Sequence, residues 1–170
     1  QHDYVDTPGS LSMTRTEEVD GTNEVASRTH YDGLGREIQS RRTWPGSGAV
    51  AKDTSYNLQG SVDWTSLPYS SSGLNKTSPT SDTDLKISYL YDTLGRVATT
   101  TDALGTSANV YDRWITKSTD RLGRQKTYER DAYGRLIKVA ERLGSTNYDT
   151  TYEYDWVGNL KKITDASGNV

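Results

Sequence analysis

Three observations predict an all-β chain of antiparallel strands joined by tight turns. An Asp-x-x-Gly step recurs along the 170 residues, at Asp32/Gly35, Asp92/Gly95, Asp102/Gly105, Asp120/Gly123, Asp131/Gly134, Asp155/Gly158 and Asp165/Gly168, with weaker copies at Asn57/Gly60 and Glu141/Gly144. In each, the carboxylate can bond backbone N–H groups two residues on, and the glycine can take positive φ without a Cβ clash. Turns at this spacing leave segments of about five to seven residues, a strand length too short for a helix. These segments alternate, with Tyr89 and Tyr91 on one face and Tyr152 and Tyr154 on one face, and no window carries a helical apolar stripe.

The elements follow in order. Residues 1–28 form an irregular lead-in: Thr14–Val19 and Glu24–Thr29 read as a hairpin, with Asp20-Gly21 as its turn signal. Residues 29–65 hold the first repeats, interrupted by a turn or loop at Trp44-Pro45-Gly46-Ser47-Gly48. Residues 66–86 are rich in Ser, Thr, Pro and Gly and read as an exposed excursion. Residues 87–170 are a regular series, and Thr151–Asn169 shows its unit twice: strand, turn, Leu160-Lys161-Lys162-Ile163, turn. Arg follows the glycine at Arg36, Arg96, Arg124 and Arg135, and Tyr precedes the Asp at Tyr31, Tyr91 and Tyr154. Tyr111-Asp112 has no glycine at the expected place.

Only 32% of the residues are hydrophobic, with twelve Tyr, four Trp and no Phe, so Tyr supplies most of the large apolar surface, ring on the sheet and hydroxyl toward a polar partner. A net charge of −3 argues against a nucleic-acid or anionic-membrane surface. No run of eighteen apolar residues is present, so no membrane span is expected. The absence of Cys excludes a disulfide framework. Beginning at Gln1 without a signal peptide and stopping at Val170 within a repeat, the chain reads as a segment of a longer protein.

The stretches Y-D-G-L-G-R-E-I (31–38), Y-L-Y-D-T-L-G-R-V (89–97) and Y-E-Y-D-W-V-G-N-L (152–160) resemble the YD repeat of Rhs-repeat proteins. Tyr56-Asn57-Leu58-Gln59-Gly60-Ser61-Val62 followed by Ser66-Leu67-Pro68-Tyr69 is similar to a pattern of the toxin-complex and Rhs branch. The resemblance covers roughly residues 28–170. It implies a continuous β-sheet wound into a large hollow spiral, which in toxin-complex B/C components and bacterial Rhs effectors encloses a C-terminal toxin, and in teneurins belongs to an adhesion ectodomain. The implied partners are flanking YD repeats and an encapsulated C-terminal toxin, and the implied location is secreted or at the cell surface. Asn159 in place of Arg and Asn57 in place of Asp depart from the pattern, and the self-cleaving Rhs core with its Asp-Pro-x-Gly patterns is not found in these residues.

The residues themselves favour a structural role over a catalytic one. Periodic Asp, Gly and Arg fit turn caps, left-handed glycines, and guanidiniums that stack on Tyr while pairing with Asp. The only histidines are His2 and His30; His30 reads as a strand position, and a Ser/His/Asp triad has little else to build on. Adjacent Glu17 and Glu18 point to opposite faces, and Gly46-Ser47-Gly48 lacks the Lys of a phosphate loop. Asp82-x-Asp84 matches part of a calcium loop without its Gly or distal Glu, and Asn75-Lys76-Thr77 is a glycosylation sequon. The chain is therefore read as non-enzymatic and without a cofactor. Its first reading is a stretch of shell wall, whose unpaired sheet edges would invite self-association. The alternative is a surface or adhesion module that binds glycans or a partner protein through exposed aromatics or the polar loop.

Overall fold

The computed structural model describes residues 2–5, 11–20, 23–44 and 48–170. Fifteen strands and no helix occur among them, so the fold is all-β and antiparallel as the turn spacing predicts. The chain divides into two compact units, Gln1–Tyr89 and Leu90–Val170.

In the first unit the strands are β1 (His2–Val5), β2 (Ser12–Asp20), β3 (Asn23–Tyr31), β4 (Glu37–Trp44), β5 (Gly48–Tyr56), β6 (Val62–Ser66), β7 (Tyr69–Ser71) and the start of β8 (Lys86–Tyr91). Neighbours in sequence pair antiparallel from β1 to β6. The predicted first hairpin is β2–β3, in register from Ser12↔His30 to Asp20↔Asn23; Gly21 of its turn and the Pro45-Gly46-Ser47 step lie outside the described residues. After β6 the chain leaves the sheet, adds β7 to the first half of β5 through Ala51↔Tyr69, and returns to pair β8 with β6 through Trp64↔Ser88. β7 thus continues the sheet beside β5, and residues 72–80 cross one face of β3–β5, bonded to His30, Gln39, Arg41 and Asp53. Burial along β5 alternates strictly, with Ala49, Ala51 and Asp53 on the covered side. Two alanines at alternate positions leave room for the returning backbone.

The second unit contains β9 (Val97–Asp102), β10 (Gly105–Asp112), β11 (Ile115–Thr119), β12 (Gln125–Arg130), β13 (Leu136–Leu143), β14 (Thr146–Tyr154) and β15 (Leu160–Thr164). It is an antiparallel meander in chain order. Tyr111, Thr116, Tyr128, Val139 and Thr150 form one row across five strands. Not one residue of this unit is buried. A single sheet layer with both faces open cannot draw its stability from a core, so its order has to come from ladders, cross-strand pairs and turns.

Candidate functional site

The repeated Asp-x-x-Gly step folds the same way seven times. At Asp32 the backbone N–H donates to the Arg36 carbonyl (2.9 Å), while Gly35 N–H donates to the Asp32 carbonyl (3.0 Å). The carboxylate Oδ1 accepts from Leu34 N–H and Arg36 N–H, both at 2.9 Å. The same closure occurs at Asn57, Asp92, Asp120, Asp131, Asp155 and Asp165. Gly35, Gly95, Gly123, Gly134, Gly158 and Gly168 all have φ between 76° and 101°, the region glycine enters without strain. At four of these turns a β-bulge is adjacent: the register slips by one between His30 and Tyr31, Ser55 and Tyr56, Glu129 and Arg130, and Glu153 and Tyr154, which locally increases strand twist.

The second carboxylate oxygen ties the residue after the glycine. Asp32, Asp92 and Asp131 each accept Arg Nε at 2.7 Å, from Arg36, Arg96 and Arg135, and Asp120 accepts Arg124 Nε at 2.6 Å. Where Arg is missing, Asn substitutes: Asn159 Nδ2 donates to Asp155 at 3.0 Å and Asn169 Nδ2 to Asp165 at 2.8 Å. Donation from the Arg36 and Arg96 backbone N–H groups holds Asp32 and Asp92 below the ordinary carboxylate range, and the Asn side chains do the same for Asp155 and Asp165.

Three of the arginines also reach a Tyr, and it belongs to the next turn at the same end of the sheet. Arg36 lies 4.2 Å from the Tyr56 ring centroid, Arg96 4.1 Å from Tyr111, and Arg135 4.8 Å from Tyr154. In every case the Tyr hydroxyl donates to the carbonyl of the residue after the Arg: Glu37 (3.0 Å), Val97 (3.0 Å) and Leu136 (2.8 Å). Each latch fastens one turn to the turn two strands away, with the ring against the guanidinium and the hydroxyl on the backbone. The turns that receive a latch are those at Asn57, Asp112 and Asp155, none of which has an Arg following a turn glycine. Arg135 has Tyr133 as a further ring contact, at 5.1 Å; Arg124 has its Asp but no ring contact among the described residues.

Three sites differ from the repeat. Asp102 and Gly105 face each other across a two-residue loop; Asp102 Oδ1 accepts from Leu104 N–H at 2.8 Å and its other oxygen pairs with Arg121 at 3.0 Å. Glu141 does not cap a turn: it lies within β13 and pairs with Lys126 at 2.6 Å, because the chain reverses later, at a hairpin closed by Leu143↔Thr146. At Tyr111-Asp112 the missing glycine is replaced by a two-residue loop closed by Asp112↔Ile115, with Arg113 at φ 51°.

Beneath residues 72–80 lies a polar cluster that the sequence pattern does not announce. Asp53 is fully buried; its carboxylate accepts from Gln39 Nε2 (2.6 Å), Tyr69 hydroxyl (2.8 Å) and Thr80 N–H (2.8 Å). Arg41, 2% exposed, donates to Gln39 Oε1 (2.9 Å), the Ser72 and Gly73 carbonyls (3.2 and 3.1 Å) and the Thr77 hydroxyl. Burial, and then the bond to Asp53, push the Tyr69 hydroxyl up to about 12. Charged residues at alternate strand positions, beside small alanines and ahead of a Pro/Ser-rich segment, are the available sequence signal.

The candidate chemical groups do not converge. His30 sits on β3 with Nε2 2.9 Å from the Leu74 carbonyl, not against a hydroxyl. Glu17 pairs with Arg15, and the Glu18 side chain lies outside the description. Asp82 accepts from Asp84 N–H at 3.0 Å, and no group of three or more potential metal ligands occurs among the described residues. Asn75 Oδ1 accepts from Arg28 at 3.2 Å. A concavity of about 570 Å³ in the second unit is lined by Asp120, Arg124, Lys126 and Glu141, but both carboxylates are committed to those cations. No helix among the described residues is long and apolar enough to cross a membrane.

Residues 112–146 match the family described as RHS Repeat. No curated protein sequence is significantly similar to the chain. Among solved structures, the crystal structure of TcdB2-TccC3-TEV shares the fold with a TM-score of 0.71 at 18% identity; the match covers 92% of this chain and 10% of that one. The chain thus spans about a tenth of the length of the structure it matches.

Proposed function

We propose that the chain, of which residues 112–146 match the RHS Repeat family, is a non-catalytic stretch of wall in an Rhs/YD-repeat β-sheet shell enclosing a toxin or other cargo polypeptide carried C-terminally by the same protein. The observation that carries this reading is the use made of the repeat residues. Asp, Gly, Arg and Tyr are spent on closing turns and fastening neighbouring turns together, which suits a surface that must stay intact rather than a site that must react. The likeness of 92% of the chain to part of TcdB2-TccC3-TEV supports it. On this reading the partners are flanking YD repeats and the enclosed segment, in a secreted or cell-surface protein.

Intact-mass and gel analysis of the full-length protein tests the reading. A C-terminal fragment that is cut yet stays with the repeat region, resistant to added protease, is the expected result. A single uncleaved chain whose C-terminal region is digested freely contradicts enclosure. A second reading, an adhesion module, has one observation in its favour: Tyr133 and Trp156 are 85% and 97% exposed at turn tips, where rings could stack on sugars. Loss of glycan-array binding in a Trp156→Ala variant would support it, and a blank array with the unaltered chain removes it.

A further inference from the structure

His30 is 3% exposed and lies where residues 72–80 cross the β3–β5 face. Its Nε2, 2.9 Å from the Leu74 carbonyl oxygen, must carry a proton to make that bond, which leaves Nδ1 bare in the neutral ring. Nδ1 is buried and has no partner. Its neighbours in register are Ser12 on β2 and Gln39 on β4, both uncharged. The charged groups acting on the ring are Arg28 on β3 itself, Arg41 on β4 and Lys76 on the covering segment, all cations. The carboxylate of the cluster, Asp53 on β5, is occupied by Gln39, Tyr69 and Thr80.

We propose that residues 72–80 are an acid-released strap whose catch is His30. A second proton on the ring creates a buried N–H donor with no acceptor and a fourth positive charge beside three others. The cheapest relief is for the strap to lift and admit water. Its other ties are bonds from Arg28 to Asn75 Oδ1, from Arg41 to Ser72, Gly73 and Thr77, from Thr77 N–H to Gln39 Oε1 (3.0 Å), from Gln39 Nε2 to the Thr77 carbonyl (3.4 Å), and from Thr80 N–H to Asp53. Lifting would expose the polar cluster of Gln39, Arg41 and Asp53 while leaving the ladders of β3, β4 and β5 paired.

The direction in pH follows from burial, which lowers His30 below its ordinary 6.5, helped by the three cations and opposed by the Leu74 bond. The unfolded or lifted form then binds more protons than the closed one. The closed strap has its full stability above pH 6.5 and loses it as pH falls from there through the lowered value.

Hydrogen exchange of the Thr77 and Thr80 amides, corrected for intrinsic rate, tests this at about pH 7.5 and about pH 5.5 on either side of the ordinary His value. The unaltered chain should lose protection at these amides by up to about tenfold at the lower pH. His30→Gln, which keeps a neutral N–H donor but cannot titrate, should keep its protection. An equal response in both proteins assigns the release to a carboxylate and overturns the proposal, as does no response in the unaltered chain. Should His30→Gln fail to fold, an NMR titration of His30 in the unaltered chain decides: its midpoint must lie below 6.5 and coincide with loss of the two amides. A higher midpoint, or amides that stay protected through it, also overturns the strap.

Discussion

The two units solve one problem in opposite ways. In Gln1–Tyr89 a returning segment covers one sheet face, and the buried positions there include Arg41, Asp53 and Ser66 rather than large apolar side chains. In Leu90–Val170 no residue is buried, yet the strands pair antiparallel in chain order from β9 to β15, with slips of one residue at Arg130 and Tyr154. The difference teaches that the repeat does not depend on a core. Its stability is local, made at the turns, and a covering segment is an addition to the pattern.

The largest break in the comparison should come from Asp53→Ala. It removes the acceptor of three donors, the buried Gln39 Nε2 and the part-buried Tyr69 hydroxyl and Thr80 N–H, of which Gln39 keeps only a long bond to the Thr77 carbonyl, and should destabilise the first unit by about 3 kcal/mol. Hydrogen exchange resolved by segment is the check: protection should fall in residues 37–85 and stay unchanged in residues 97–164. Next comes Gly134→Ala, which forces a Cβ into φ 80° and should cost the second unit about 1–2 kcal/mol in chemical denaturation.

Acid sharpens the comparison in another way. The turn carboxylates of Asp32, Asp92, Asp155 and Asp165 are held below the ordinary 3.8 by the hydrogen bonds they accept. Their contribution is therefore present above that value and is lost as pH falls through the lowered folded values. The second unit, which has no buried residue and relies on such turns, should unfold below about pH 4 in a circular-dichroism titration; retention of its sheet far below that would argue that the ladders alone suffice. The smallest effect has the opposite sign. Arg113→Gly relieves a left-handed non-glycine residue and should raise stability by up to about 1 kcal/mol, read as a shift in denaturation midpoint.

Much of this was legible in the sequence because the turn signal is local. Asp and Gly three residues apart specify the closure of residues 32–36 or 131–135 with no knowledge of the rest of the chain. What depends on strand pairing was not legible. That Arg36 stacks on Tyr56, twenty positions away, follows only once β4 and β5 are in register, and nothing local to Tyr56, Tyr111 or Tyr154 hints that each serves the previous turn at its end of the sheet. Glu141 shows the same limit from the other side: the spacing is right, but a two-residue hairpin at Gly144-Ser145 closes first and leaves Glu141 in a strand. The buried cluster around Asp53 was hidden because a segment rich in Ser, Thr and Pro reads as solvated, and its docking relies on backbone carbonyls and amides that composition does not reveal.

The central claim is that the repeat residues fasten turn to turn instead of forming a reactive or binding site. A double-mutant cycle on Arg135→Ala and Tyr154→Phe and Tyr154→Ala, measured by chemical denaturation, tests it most directly. The account predicts that Tyr154→Phe alone costs about 1 kcal/mol for the lost bond to Leu136, and that Arg135 and the Tyr154 ring couple by roughly 0.5–1 kcal/mol. Additive losses, with no coupling between guanidinium and ring, would contradict it.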